Sequence, residues 1–518
     1  MTDLLNDNPR RSWGDSMRLF FTPKVLALLF LGFSAGVPLY LVFSTLSVWL
    51  REAGVERATI GFFSWAALAY GFKFVWAPLV DKLPVPVLSR LMGQRRSWLL
   101  VAQFSIIGAL AFMALTNPAM SHASITAMAI GAVLLAFSSA TQDIVIDAYR
   151  IECAEPEVQG LLSATYIVGY RIGMIVAGAG ALELAGFLDV IDGYDYNAWR
   201  STYFAMGGVM GIGVLTTFVI SEPAIKNAVA EKLTSTSDYV RFALLFAIAA
   251  TMFVFTFVNW PGTLDLFAAA LGDGLAKFID GALRLGTAVG VAFVVGLVLV
   301  KVRLVQRDVA YETYVAPFAE FFTRFGRAAI LILCLIATYR ISDIVMGVMA
   351  NVFYIDLGFD KETIGRIAKG FGLFATVVGG LIGGLFTARY GVMRIMSFGA
   401  VLVIATNALF AVMSHMEPLL WVLIAVIMAD NLAGGIASAV FVAYLSGLTS
   451  KGFTATQYAL FSSIMLLVPK LIAGYSGVAV DSVGYAWFFL GSALIGVIPL
   501  ILVFVVARLM PSLATKSD

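Results

Sequence analysis

The sequence is poor in the residues that most chemistry uses. It has two cysteines and two histidines in 518 residues, and only 13% of its residues are charged. Cys153 closes one apolar run and Cys334 lies inside another, so no disulfide framework is expected. His122 and His415 leave almost no material for a histidine metal site or a catalytic triad, so neither a metal nor another cofactor is expected. Soluble domains carry about 25% charged residues. With 60% hydrophobic residues and a mean hydropathy of +0.92, a soluble fold has nowhere to put this apolar surface. The chain therefore reads as an all-α polytopic membrane protein with the lipid bilayer as its partner. Its formal net charge of +2 is uninformative as a total, and no nucleic-acid partner is expected.

What the sequence does have is long apolar runs. A spanning helix needs about 20 mostly apolar residues. Fourteen runs qualify, at 25–50, 58–80, 97–116, 122–149, 158–184, 200–220, 242–260, 283–302, 327–354, 361–387, 391–412, 418–447, 456–480 and 484–508. Residues 1–24 are polar, with Arg10, Arg11, Arg18 and Lys24, and no small-residue cleavage site follows, so the first run is expected to be retained. Lys82, Arg90, Arg95 and Arg96 fill one short loop. Lys301, Arg303, Arg307, Arg324 and Arg327 mark another, while loops such as TNPAMSHAS and SHMEP hold no Lys or Arg. The positive-inside rule then places the basic loops and both termini in the cytoplasm. The acidic segment after Arg150, with Glu152, Glu155 and Glu157, is an exception.

An internal repeat organises the runs. REAGVERATIG (51–61) aligns with IDLGFDKETIG (355–365), pairing Gly54 with Gly358. Further on, Asp147-Ala148-Tyr149 faces Val442-Ala443-Tyr444, and Arg171 faces Lys470. Two halves in the same order imply a pseudo-two-fold axis along the membrane normal. The expected organisation is a cytoplasmic segment 1–24, a six-helix half 25–221, a linker 222–326 with two extra helices, a second six-helix half 327–508 and a cytoplasmic tail 509–518. Within the linker, FAAALGDGLAKFIDGALRLG is expected to lie as an amphipathic segment on the outer surface. The repeat resembles that of the major facilitator superfamily, whose signature loop after the second helix is echoed here by APLVDK and GQRRSW. The resemblance assigns Asp81, Lys82, Arg95 and Arg96 to a gating loop.

Charges inside the apolar runs are costly, roughly 3 kcal/mol each on insertion scales, and usually face a cavity or a partner. Here they are Lys73, Asp143, Asp147, Arg171, Arg340, Asp343, Lys369, Asp430 and Lys470, with Gln142 and Asn431 as neutral companions. Arg171 and Lys470 occupy equivalent positions and are expected on opposite walls of one cavity, where two cations suit an anionic substrate. Lys73 and Lys369 add to the same field. Arg340 and Asp343, at i and i+3, either neutralise each other or touch substrate. Asp430-Asn431, followed by glycines, is expected to line the cavity. Asp143 and Asp147 sit at i and i+4 in SSATQDIVIDAYR and share a helix face with Ser139. Two stacked acids do not both ionise cheaply unless two cations are near. Asp147 is expected to be paired or solvated, and Asp143 to carry a proton.

The same stretch resembles the SQDIVxDA segment of muropeptide permeases of the AmpG type. So do GFSAGVPL (32–39), TIGFFS (59–64), AYGFKFVWAPLVD (69–81, with Lys73), the stretch around Lys369, DNLAGG (430–435) and FTATQYALFS (453–462). Thr141 stands where that family more often has serine, and Lys470 where some members have arginine. The resemblance implies proton-driven import of anhydromuropeptides into the cytoplasm of a Gram-negative cell by a monomeric inner-membrane transporter. It also implies roles in peptidoglycan recycling and β-lactamase induction, and hence antibiotic resistance. Two other readings are a transporter of a different organic anion, such as acetyl-CoA, and a membrane-embedded enzyme. The repeat and the lack of a nucleophile or metal cluster argue against the enzyme.

Overall fold

A computed structural model describes residues 22–55, 63, 66, 68–153, 158–191, 194–223, 236–263, 273–302, 304–305, 308, 311–359, 363–364, 367–473 and 476–509. Among the described residues all regular structure is helical. Among the described residues ten helices are long and apolar enough to cross a membrane: Pro23–Glu52, Gln94–Ala114, His122–Glu152, Gln159–Leu188, Tyr196–Val219, Ala328–Asp356, Leu373–Tyr390, Val392–Met413, Leu420–Leu448 and Ala479–Leu509. The other four expected spans take different forms. The second is a broken series, Leu68–Phe72, a 3-10 turn Lys73–Val75, and Ala77–Lys82. The two linking spans contain the shorter apolar helices Leu244–Val258 and Gly286–Lys301. The thirteenth is Thr454–Ala473, with Pro469 inside it.

The repeat is visible in the backbone. Gly54 and Gly358 both take positive φ, +79° and +99°, just past the first helix of each half. Gly93 and Gly391 both take positive φ, +88° and +83°, as N-caps of the two third helices. That region of φ favours glycine, which is why the sequence keeps it at both pairs. The TIG triplet of the first copy lies outside the described residues.

Each half has its own apolar core. In the first, Trp49 stacks on Trp199 with ring centroids 5.7 Å apart and packs against Tyr203. In the second, Phe353, Phe410 and Phe489 pack together. Glycines set the tightest helix contacts. The first helix meets the fifth, where a Cβ on Gly32 or Gly36 would strike the carbonyls of Tyr166 or Tyr170 at 2.2 and 2.0 Å. Across the halves, Gly160 on the fifth helix faces Thr387, and Gly384 faces Ala164. Such small residues let helix backbones approach closely where lipid offers no hydrophobic drive.

The chain forms two compact units. One holds the described residues of Met1–Val80, Val85–Ile225 and Arg324–Asp518, and the other those of Asp81–Pro84 and Lys226–Thr323. In the second unit, helix Thr236–Val258 packs on helix Asp273–Lys301. Asp280 clamps the loop between them, accepting hydrogen bonds from Trp260 Nε1 at 3.0 Å and from Thr263 Oγ1 at 2.9 Å. Arg284 donates to the Phe257 carbonyl at 2.7 Å and lies over its ring. The expected separate surface segment is corrected here. From Asp273 onward it is the first half of the long helix Asp273–Lys301, whose helical run continues without a break into the apolar residues. Its earlier residues lie outside those described.

Candidate functional site

The fourth helix of the first half, His122–Glu152, starts at Ser121, whose side chain accepts from the Ser124 N–H, and runs for 31 residues. From Ser138 to Ile151 every residue is buried, so the polar side chains of this stretch must find partners inside the protein. Asp147 finds two. Its Oδ2 lies 3.5 Å from Lys73 Nζ and its Oδ1 3.3 Å from the Arg150 guanidinium. The 3-10 turn Lys73–Val75 brings Lys73 to this face, and Trp76 Nε1 donates to Thr141 Oγ1 at 3.1 Å beside it.

Asp143, one turn away, is treated differently. Its Oδ1 is buried without a hydrogen-bond partner, as are Ser139 Oγ, Gln142 Nε2 and Tyr70 Oη. Gln142 Oε1 accepts from Ser34 Oγ at 3.2 Å. Lys73, Asp147, Tyr70, Tyr166, Tyr170 and Tyr458 all lie within electrostatic reach of Asp143. The two stacked acids are thus separated by their surroundings into a doubly paired one and one with an open oxygen.

The other charges divide in the same way. Arg340 pairs with Asp343 on its own helix, so these two neutralise each other. Asp430 accepts from Thr406 Oγ1 at 3.3 Å. Asn431 accepts from Thr376 Oγ1 at 2.9 Å and donates to the Ile427 carbonyl at 2.8 Å. Arg171 and Lys470 make no ion pair among the described residues. Arg171 points one N–H at Met174 Sδ, 3.9 Å away, and lies within electrostatic reach of Arg340 and Asp343 of the other half. Lys470 is exposed. It lies one turn beyond Leu467, whose side chain packs against Gly71 of the first half, so this side of its helix faces the opposite half. Lys73 contributes no free cation, because Asp147 holds it. Lys369 lies on the π-helical turn Ile367–Gly372, and its side chain is outside the described residues.

At the end of the bundle that carries the basic loop, hydrogen bonds cross between the halves. Arg95 donates to Glu152 Oε2 at 2.9 Å and to Thr454 Oγ1 at 3.1 Å, and Thr454 also donates to Glu152. Arg150 donates to Ser446 Oγ at 2.6 Å and lies over the Tyr458 ring. The acidic exception in the loop pattern is explained in part, because Glu152 holds Arg95. Arg96 donates to the carbonyls of Thr217 and Phe218, while Glu222 accepts from the backbone N–H groups of Arg95 and Arg96. Asp81 and Lys82 are buried at the end of Ala77–Lys82.

Sequence reasoning missed Arg150, Glu152 and Glu222. Arg150 had a signal, its i+3 spacing from Asp147, but an arginine ending an apolar run reads first as a loop flank.

Three comparisons bear on identity. A family described as acetyl-coenzyme A transporter 1 matches residues 24–259. A transporter named AmpG 4 from Rickettsia conorii is 30% identical over 91% of this chain and 94% of its own length. The anhydromuropeptide permease of Escherichia coli is 30% identical over 94% of this chain and 81% of its own length. Among solved structures, the proton:xylose symporter XylE aligns over 95% of both chains with a TM-score of 0.57 at 11% identity, a likeness of fold. The chain is a multi-pass membrane transporter with a major facilitator fold and belongs to the AmpG family of permeases.

Proposed function

We propose that this chain is a secondary active transporter that imports anhydromuropeptides, N-acetylglucosaminyl-anhydro-N-acetylmuramyl peptides, together with protons. The observation that carries this reading is the division of charge inside the bundle. Among the described residues two cations, Arg171 and Lys470, have no acid partner, while the acid Asp143 has an open oxygen. A muropeptide is large, polar and rich in carboxylates. Its carboxylates would complete the two cations with charge-assisted hydrogen bonds, and Gln142 and Asn431 have the chemistry to meet sugar or peptide amides. The E. coli relative named for this substrate supports the choice.

The cycle is alternating access about the central site. The basic-loop end, where the halves are joined, is taken as cytoplasmic by the positive-inside rule, with both termini on that side of a Gram-negative inner membrane. The arrangement described here then faces the periplasm. Substrate binds Arg171 and Lys470, and Asp143 takes a proton from the periplasmic side. The halves rock, the cytoplasmic joint opens, and loss of the proton resets the site. One chain carries both halves, so a monomer suffices. Delivery of this substrate would feed peptidoglycan recycling and the signal for β-lactamase induction.

A second reading, transport of an acyl-CoA, rests on the family match across residues 24–259. Both cargoes are anionic, so the cations alone do not separate them. Uptake of labelled anhydromuropeptide into proteoliposomes, with unlabelled acetyl-CoA as competitor, does. Uptake untouched by acetyl-CoA is expected. Absence of muropeptide uptake beside acetyl-CoA uptake would replace the first reading by the second.

A further inference from the structure

Arg150 has no role in the cycle just described, yet its side chain is completely buried. A buried guanidinium is costly unless its charge is paired and most of its donors are met. The two terminal nitrogens of Arg150 are met from both sides of the molecule, while its Nε–H is buried without a partner among the described residues. On its own half it bonds Asp147 Oδ1 at 3.3 Å and Ser163 Oγ at 2.9 Å. On the other half it bonds Ser446 Oγ at 2.6 Å and lies 5.1 Å from the centre of the Tyr458 ring. Asp147 in turn holds Lys73 through its second oxygen, and Lys73 lies within electrostatic reach of Asp143. Ion pairs and hydrogen bonds therefore run from Lys73 through Asp147 and Arg150 to Ser446, beside Tyr458, and Asp143 lies one helical turn from Asp147 within electrostatic reach of Lys73. Asp143, beside the start of this series, is the acid with a buried unpartnered oxygen among the described residues, and the far end of the series lies where the halves are joined.

We propose that Arg150 is a positioning residue that transmits the protonation of Asp143 to the joint between the halves. The inference rests on the proton-coupled reading above. Among the described residues, the charged and titratable groups within electrostatic reach of the two acids are Lys73, Arg150, Tyr70, Tyr166, Tyr170 and Tyr458. Only the first two carry positive charge. With Asp143 ionised, two carboxylates balance two cations. Lys73, paired with Asp147, is also drawn by the charge of Asp143, and Asp147 holds Arg150 in front of Ser446 and Tyr458. With Asp143 protonated, one carboxylate serves two cations. Lys73 settles on Asp147, the grip on Arg150 weakens, and the contacts across the joint loosen. Proton loading thus opens the basic-loop end, the direction the cycle requires.

The test reads the joint itself rather than transport. Spin labels are placed at Leu91→Cys and Lys451→Cys, both exposed at that end, in a chain carrying Cys153→Ser and Cys334→Ser. Distances are measured in lipid nanodiscs by pulsed dipolar spectroscopy. Asp143→Asn, which imitates the protonated acid, is expected to raise the ratio of long to short distances about fivefold or more, the lower end of ordinary allosteric couplings. The same substitution in an Arg150→Lys background, which keeps the charge but not the two-sided reach, is expected to leave the ratio unchanged. Should Arg150→Lys fail to fold, Ser446→Ala with Tyr458→Leu removes the receiving side and is expected to abolish the shift equally. An equal shift with and without these changes would overturn the proposal, and so would no shift in the parent chain. Muropeptide uptake is measured separately. If uptake is absent while the shift and its loss persist, the substrate reading fails and the role of Arg150 stands.

Discussion

The second and fourth helices meet in both halves, and they meet by opposite means. In the first half the contact is charged. Lys73 pairs with Asp147, and Trp76 donates to Thr141. In the second half it is made of glycine. A Cβ on Gly379 would lie 2.2 Å from the Leu432 carbonyl, one on Gly435 2.3 Å from the Thr376 carbonyl, and one on Gly383 2.9 Å from Ile436. Thr376 and Asn431 add a neutral hydrogen bond. A charged contact responds to a proton, whereas a contact of backbones does not. In the proposed cycle the charged contact of the first half would sense the proton and the glycine contact of the second would hold a fixed shape.

The largest expected effect breaks the charged contact. Lys73→Met leaves Asp147 to Arg150 alone in a buried setting and is expected to cost about 3 kcal/mol, the lower end for a broken buried pair. Thermal unfolding in detergent should show it as a clear fall in Tm. The glycine contact should tolerate charge changes nearby but not bulk. Gly379→Ala is expected to cost about 1–3 kcal/mol through overpacking, read by the same melt, while Gly347→Ala, which has open space around it, should cost almost nothing.

Binding comes next. Arg171→Gln and Lys470→Gln should each remove a hydrogen bond to a charged group worth about 1.5–3 kcal/mol. The substrate concentration for half-maximal uptake would rise roughly tenfold to a hundredfold. Arg340→Gln should affect stability more than affinity, because its charge is already spent on Asp343.

The smallest effect lies at the loop end. Burial pushes the Glu222 carboxyl above its usual range, against the pull of the Arg95 and Arg96 backbone N–H groups. A raised folded-state pKa gives a contribution to stability that is present at acid pH and lost as pH rises through the raised value. The Tm difference between the parent chain and Glu222→Gln should therefore shift against the parent between acid and neutral pH. A pH-independent difference would contradict the assignment.

Much of this was legible in the sequence, and the limit has a physical cause. Apolar runs report spanning helices because the bilayer sets their length, so the fold and the repeat could be read, including the glycines at 54 and 358. Spacing along one helix placed Asp143 and Asp147 on one face and left Asp147 to be either paired or solvated, and the structure shows it paired. Spacing does not reveal which helices meet, and so Arg150 and Glu152 looked like ordinary loop flanks, although Ser446 and Thr454 wait for them roughly 300 positions away in the chain. Neither does it show that a cation is already engaged, as Lys73 is.

The division of labour between the halves is tested most directly by uptake of labelled anhydromuropeptide into proteoliposomes under an imposed pH difference, comparing Asp143→Asn with Asp430→Asn. A carrier that moves one proton per substrate gains about tenfold in accumulation for each pH unit. Asp143→Asn is expected to equilibrate the substrate without accumulating it, while Asp430→Asn, whose acid already accepts a hydrogen bond from Thr406, keeps a gradient-dependent gain. Full accumulation by Asp143→Asn would contradict the assignment of the proton step to the first half.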